Sequence, residues 1–434
     1  MHFIKRHAFV LILLLGLFIR LLVMFHDYSW DVNNHIVWAK DLHNRGFEDF
    51  YTTQSSEVYA SLYPNYPPLA MFFFYLSYPL PKIIFSVFWW LNVHIPFFPS
   101  KLVFFVQERA FLAAMMKIPA IIADFGIVWL ISLFIKKIKF SKAAARRALL
   151  LGTSLILFNP AFFYNSAYWG QIDLIPIFFV LTSVYLLLYK KNYILSGIFF
   201  TLGLLIKPTP IVYLPIYLFI FLAGGFKKTL MTFVASAIVF ITAFAPFLGK
   251  AYDLFSPFKI YFENIIQAQS ISFVTNGAFN MWLLITQFKG IKSSEPFLLI
   301  ASYDVWGYIF VGIMIFIIFD SFLRGKLRKD HTKIFYAFFL SSFACFLFLT
   351  KMHERYTMLM LPFLLLFSLK NRYAFKIFIL LSIFSFLNLY HSWAVPKIDI
   401  LFRIVDSRTG YMLFSAGAVL LFFNLLRQKT KKIP

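Results

Sequence analysis

The residues best suited to chemistry are few and widely spaced along the chain. The first group is His26-Asp27-Tyr28-Ser29-Trp30-Asp31-Val32-Asn33-Asn34. The spacing after it predicts a short helix over about 34–45, capped by Asn33 or Asn34, with Arg45 in its last turn and Gly46 at the C′ position. Asp31 would then stand just before a helix N-terminus. A carboxylate there can take the proton of a substrate hydroxyl, which is general-base work, while the helix dipole favours its ionised form and weakens it as a base. A capping role for Asp31 fits the spacing equally well. Asp27 and Asp31 could together hold a divalent cation, but no His or carboxylate cluster completes such a site. No metal ligand is therefore assigned, and a divalent cation is the one cofactor kept in view.

Four further groups follow. Asn159-Pro160 closes an apolar run, and Asn165-Ser166-Ala167-Tyr168-Trp169-Gly170-Gln171-Ile172-Asp173 leads into the next. Tyr and Trp at such places anchor a chain at a bilayer surface. Gln171 and Asp173 are not explained that way, because a charge near hydrocarbon is costly and marks a functional candidate. Lys207, in Lys207-Pro208-Thr209-Pro210, either extends its ammonium to headgroups or faces a cavity, where it would suit a phosphate. Lys351-Met352-His353-Glu354-Arg355-Tyr356 packs four ionisable residues into one turn. There Arg355 offers bidentate geometry to phosphate, His353 a proton or hydrogen bond, and Glu354 a partner that holds Arg355. Lys117 and Asp124 lie seven residues apart on one helical face, as an intramembrane pair or as two groups lining one cavity.

The chain that must position these groups has 434 residues, of which 61% are hydrophobic, 21% aromatic and only 14% charged, with 60 Phe. A soluble core stops growing at roughly 250–300 residues, and ordinary globular chains are about 45–50% apolar and about 25% charged. The class is an all-α polytopic membrane protein; disordered, coiled-coil and disulfide-scaffold classes are excluded. The single cysteine, Cys345, sits in an apolar run, which argues against redox chemistry and cysteine-rich metal sites.

A spanning helix needs about 20 apolar residues. About twelve runs qualify: 8–26, 108–135, 148–164, 172–189, 193–206, 208–224, 228–248, 304–322, 333–350, 357–369, 374–390 and 411–426. With a cytoplasmic N-terminus, every second connection is basic: Lys136 to Arg147, Lys190-Lys191, Lys227-Lys228, Arg324 to Lys333, Lys370 with Arg372, and Arg427 to Lys432. The C-terminus is then cytoplasmic too. Of 18 Asp and Glu, only Asp320 and Asp330 lie at the inner side and Asp124 within a helix. The working face is the outer one. The net charge of +23 belongs to the basic loops and not to nucleic-acid binding. The first apolar run follows Lys5 and Arg6 but lacks small residues for cleavage after it, so it reads as an uncleaved helix.

The stretch 66–100 is apolar but broken by Pro67, Pro68, Pro79, Pro81, Pro96 and Pro99. It reads as short helices in the outer interface or as a re-entrant pair, since one more crossing would invert every later loop. The runs 193–206 and 357–369 are short for a crossing and are tolerated where they line a cavity. One membrane domain, 1–434, is expected, with a first outer loop at 27–107 and another at 249–303. The latter, from Lys250 to Tyr303 with Asn276-Gly277-Ala278-Phe279-Asn280-Met281-Trp282, reads as a mobile cover over acceptor or donor.

In order, Asp31, Trp38-Ala39, Gly46, Tyr51, Tyr66-Pro67-Pro68, Lys117-Ile118-Pro119 with Asp124, Asn159-Pro160, Trp169-Gly170-Gln171-Ile172-Asp173, Lys207-Pro208 and His353-Glu354-Arg355-Tyr356 resemble membrane glycosyltransferases of the GT-C class. Over about 25–365 the chain is similar to the branch of the glycosylphosphatidylinositol mannosyltransferase II group. The resemblance implies many transmembrane helices with interfacial helices in a large first outer loop. It also implies an inverting transferase that moves a mannose- or other hexose-like sugar from a polyprenyl-phosphate donor to a lipid or glycan acceptor. The first-loop acid of that class is catalytic base or acceptor anchor, a role that falls on Asp31, with Asp27 as second candidate. Gln171, Asp173, Glu354, Lys117 and Asp124 would line the cavity for acceptor; Lys207, Arg355 and His353 would meet the donor phosphate.

Glycosyl transfer passes through an oxocarbenium-like state, so a carboxylate to take the acceptor proton and cations to steady the departing phosphate are the groups required. On an outer face the donor must be lipid-borne. A flippase or transporter for lipid-linked sugars would spread polar residues along the whole crossing path, whereas these gather on one side. An envelope polysaccharide polymerase would carry a large late outer loop bearing Arg and His, and the His353–Tyr356 turn is too short for that. A Lys-, Ile- and Phe-rich composition points to a bacterial cytoplasmic membrane and an envelope polymer, with the endoplasmic reticulum membrane as the alternative.

Overall fold

Helices account for nearly all the ordered backbone, as a chain without water around its peptide groups requires. The computed structural model describes residues 2–27, 29–138, 140–250, 253–267, 272–298, 301–323 and 330–427, with side chains from residue 7 onward. Lys139, the loop residues 324–329 and the tail beyond 427, all counted above among the basic connections, lie outside the described residues. The chain packs as two compact units. The first comprises residues 1–158, 162–208 and 227–269, and the second 159–161, 209–226 and 270–434.

Each of the twelve apolar runs forms a helix or a broken helix pair. Among the described residues, seven helical stretches are long and apolar enough to cross a bilayer, or eight if the bent pair Lys142–Leu157 and Pro160–Trp169 counts as one. His7–Val23, Leu174–Tyr189, Tyr193–Leu204 and Thr209–Gly224 are apolar but shorter. Such composition and helix content make this a multi-pass membrane protein. Large apolar side chains meet the surroundings along Phe226–Phe244 and Tyr303–Ile318: Phe226, Phe233, Tyr308 and Phe316 are all exposed. A soluble protein would cover them.

The stretch Pro68–His94 is one of the seven. It runs as two helices, Pro68–Ser77 and Leu80–His94, divided at Tyr78 and Pro79, and Pro68 and Pro81 occupy first-turn positions of them. There a helix has no use for the missing N–H. Length and composition alone permit a crossing where interfacial helices were expected.

The first-loop helix is Trp30–Arg45, four residues longer at its start than the spacing indicated. Ser29, not Asn33 or Asn34, caps it, its Oγ accepting the Val32 N–H at 3.4 Å. The two asparagines are drawn elsewhere: Asn34 Oδ1 accepts the Ser61 N–H at 2.7 Å, and Asn33 Oδ1 accepts from Arg109 Nη2. Asp31 therefore lies in the first helical turn instead of before it. Gly46 ends the helix with φ +81°, a value that favours glycine.

In the first unit, the break after Leu157 yields a π-helix, Tyr164–Trp169, closed by Gly170 at φ +85°. Tyr51 Oη donates to the Tyr66 carbonyl at 2.8 Å, and Asn264 Nδ2 donates to the Tyr51 carbonyl at 3.1 Å, so the first loop is tied down along its length. In the second unit, His331–Phe348 is apolar on every side and buried from Ile334 to Phe348, as such a helix must be. Thr275–Asn276 pairs in parallel with Met352–His353. This pairing, the wholly buried Trp282 and its Nε1 bond to the Phe348 carbonyl at 2.8 Å anchor the stretch read as a mobile cover.

Candidate functional site

Lys117, deep in the helix Arg109–Lys137, gathers the first loop and the 165–173 turn. Its Nζ donates to the carbonyls of Met24 at 2.9 Å, His26 at 2.5 Å and Tyr168 at 2.8 Å. The His26 ring lies 4.3 Å from that of Tyr168. Gly170 completes the junction, since a Cβ there would run into Val32 Cγ2 and come within 3.0 Å of Lys117 Cε. Two reasons thus require glycine: the left-handed backbone and the close approach of the helix that carries Asp31. Asp27 forms an ion pair with Arg109 at 3.7 Å, its charge met by a cation of the protein itself.

Lys117 and Asp124 are not a pair. Asp124 Oδ2 accepts from Arg20 Nε at 2.6 Å and from Ser166 Oγ at 2.7 Å, and Arg20 Nη1 donates to the carbonyls of Gly16 and Leu157 at 3.0 and 2.9 Å. All of this is fully buried. Seven residues on a helix advance about 10 Å, so sharing a face left room for two separate partners. The Leu157 carbonyl is among those that a helix end leaves open, and Arg20 fills it where the chain breaks.

Asp173 and Lys207 meet instead. Lys207 Nζ lies 2.5 Å from Asp173 Oδ1, with the two side chains 1% and 3% exposed. Asn165 Nδ2 donates to Asp173 Oδ2 at 3.4 Å, and the Tyr66 ring lies 5.6 Å from Lys207 Nζ. Gln171, two residues before Asp173, is wholly buried, and its N–H is taken by the Asn165 carbonyl at 2.9 Å.

The second unit builds its own cluster. Glu354 Oε1 accepts from Arg355 Nη1 at 2.9 Å, and His353 Nδ1 is 3.8 Å from Glu354 Oε2. Burial pushes the Glu354 carboxyl up, but the neighbouring Arg355 and His353 prevail and hold it down to about 2. Gly277, at φ +76°, has no room for a Cβ beside Glu354 Oε2 (3.1 Å) and Ser392. Asn388 Nδ2 donates to the Gly277 carbonyl at 2.7 Å. Lys351 adopts φ +59°, a strained conformation for lysine. It is held by its N–H to the Val274 carbonyl at 3.0 Å and its Nζ to Asp304 Oδ2 at 3.0 Å.

Among the described residues no three His, Cys, Asp or Glu side chains gather as metal ligands. Sequence reasoning passed over Arg20, Asp304, Asn388 and Ser392, and gave Asn165 no role of its own. Only Arg20 left a legible signal, a charge inside an apolar run.

These apolar helices, with buried charges paired inside the protein, define a polytopic membrane protein. The chain belongs to glycosyltransferase family 87, whose model matches residues 65–350. It is a glycosyltransferase, consistent with the GT-C-like class; the match does not reach down to the glycosylphosphatidylinositol mannosyltransferase II branch. The matched stretch takes in Lys117, Asp124, Gln171, Asp173 and Lys207, while Asp27, Asp31 and His353–Arg355 lie outside it. No curated protein matches the chain.

Proposed function

We propose that this glycosyltransferase takes a hexose-like sugar from a polyprenyl-phosphate donor and passes it, with inversion, to a lipid or glycan acceptor on the extracytoplasmic face. Asp31 is the base. The observation that supports this reading is the close approach of Val32, next to Asp31 in the first turn of Trp30–Arg45, to Gly170 of the Trp169-Gly170-Gln171-Ile172-Asp173 turn. Asp31 is partly accessible, as a group meeting an acceptor must be, whereas Asp124 is sealed within the protein. Asp27 is the second candidate, restrained by Arg109.

For the departing phosphate we assign Arg355, with His353. Their side chains are 13% and 16% exposed, against 1% for Lys207, whose charge Asp173 already balances. Glu354 orients Arg355 by a charge-assisted hydrogen bond. For the acceptor side we assign Gln171 and Asp173.

The alternation of basic loops supports twelve crossings with both termini cytoplasmic in a bacterial membrane, and Pro68–His94 then lies along the outer interface. The test is purified protein supplied with polyprenyl-phosphate sugars and lipid or glycan acceptors. Donor-dependent transfer should collapse by about 100-fold or more in Asp31→Asn, in the range that removal of a general base produces, with protein level unchanged. Full activity in that variant would exclude Asp31 as base.

A further inference from the structure

An ammonium has three N–H donors, and those of Lys117 meet three backbone carbonyls. Two, from Met24 and His26, lie where the chain leaves the helix His2–Val23 towards Asp27 and Asp31. The third, from Tyr168, lies in the π-helix just before Gly170. The lysine stem passes against Gly170, and Gly170 receives Val32 from the helix Trp30–Arg45. Two parts of the chain distant in sequence, the end of the first helix with the start of Trp30–Arg45 and the Tyr168–Gly170 turn, therefore meet at one buried side chain. A group with its donors directed at backbone oxygens is not built to bind substrate.

We infer that Lys117 is a positioning residue. By holding the Met24 and His26 carbonyls against that of Tyr168, it sets the height and register of residues 27–33 on the Trp169-Gly170-Gln171 turn, and so the place of the Asp31 carboxylate. The inference rests on the proposed role of Asp31 as base. Its physical content is the steep dependence of proton transfer on geometry: a displacement of about 1 Å can cost about 100-fold in rate. Asp27, whose charge acts on Lys117, would move with the same segment.

The test is Lys117→Met, which keeps the apolar stem and removes the donors. Two measurements are made on the full-length protein: amide hydrogen exchange of peptides covering 24–33, and steady-state kinetics with a polyprenyl-phosphate sugar, normalised to donor-binding sites. Exchange in 24–33 should quicken at least 10-fold with other helices unchanged, and kcat should fall about 10- to 100-fold with donor KM within twofold of the parent. A lysine that served only stability would lower the number of donor-binding sites and leave kcat per site as in the parent, overturning the inference. A raised donor KM without faster local exchange would make Lys117 a substrate ligand and overturn it too. Should Lys117→Met not fold, Gly170→Ala presses on Val32 from the other side of the junction, and an unchanged kcat there counts against the inference. If Asp31→Asn retained full activity the base assignment would fall, while the exchange result in Lys117→Met, which needs no turnover, would still decide whether the clamp exists.

Discussion

Removing one member of the Lys207–Asp173 pair should destabilise the protein far more than removing both. The pair is almost completely buried, its charged atoms 2.5 Å apart, with Asn165 on the second carboxylate oxygen. In such surroundings the loss of one partner strands an uncompensated charge and costs about 3–5 kcal/mol, whereas replacing both by apolar side chains of similar volume is often neutral. Folded domains hold only about 5–15 kcal/mol in total, so Lys207→Met or Asp173→Leu alone should lower yield and unfolding midpoint markedly. The double variant should return to within about 1–2 kcal/mol of the parent, a coupling of several kcal/mol by double-mutant cycle. The assay is denaturant unfolding in lipid nanodiscs, with donor KM measured on the surviving fraction. Donor KM in the double variant should stay near that of the parent. A Lys207→Met protein as stable as the parent, but with a greatly raised donor KM, would refute the reasoning. The ammonium would then be serving a phosphate and not Asp173.

Two shorter tests follow. Because Glu354 is held down to about 2, its ionised form contributes stability at every pH above its unfolded value of about 4.3, and that contribution is lost as pH falls through about 2. The stability gap between the parent and Glu354→Gln should persist from pH 8 to about 5 and close progressively in stronger acid, as read by unfolding midpoints; a gap that widened below about pH 4 would contradict the ion-pair account. For the topology, Cys345 is buried and gives little background, so a cysteine at the exposed Thr53 should react with an impermeant maleimide added outside whole cells, and one at Lys142 only after permeabilisation. The reverse pattern would overturn the orientation.

Hydropathy made the helices legible. Each apolar run became helical because a chain in hydrocarbon must satisfy its own peptide groups, and no neighbour can alter that demand. The Glu354–Arg355 pair was also legible, being adjacent in sequence. Partners across the chain were not. Asp124 faced Lys117 on its own helix but found Arg20, 104 residues away, and Lys207 found Asp173 in place of headgroups. The start of Trp30–Arg45 was misplaced because Asn33 and Asn34, good caps by type, were claimed by Arg109 and Ser61. The prolines of 66–100 do divide it into the short helices the sequence suggested, and Pro68 and Pro81 also stand in first turns of those helices.

By itself the sequence determined that this is a helical membrane protein, and it marked the few polar residues that hydrocarbon would not tolerate without a use or a partner. Which of those residues partner each other, which remain accessible, and how Lys117 and Gly170 bring the first loop onto the 165–173 turn were decided by tertiary structure alone. The reason is that periodicity and solvation act along a single stretch of chain. Charge compensation and backbone contact are settled between stretches, by whichever groups the packing brings within about 3 Å.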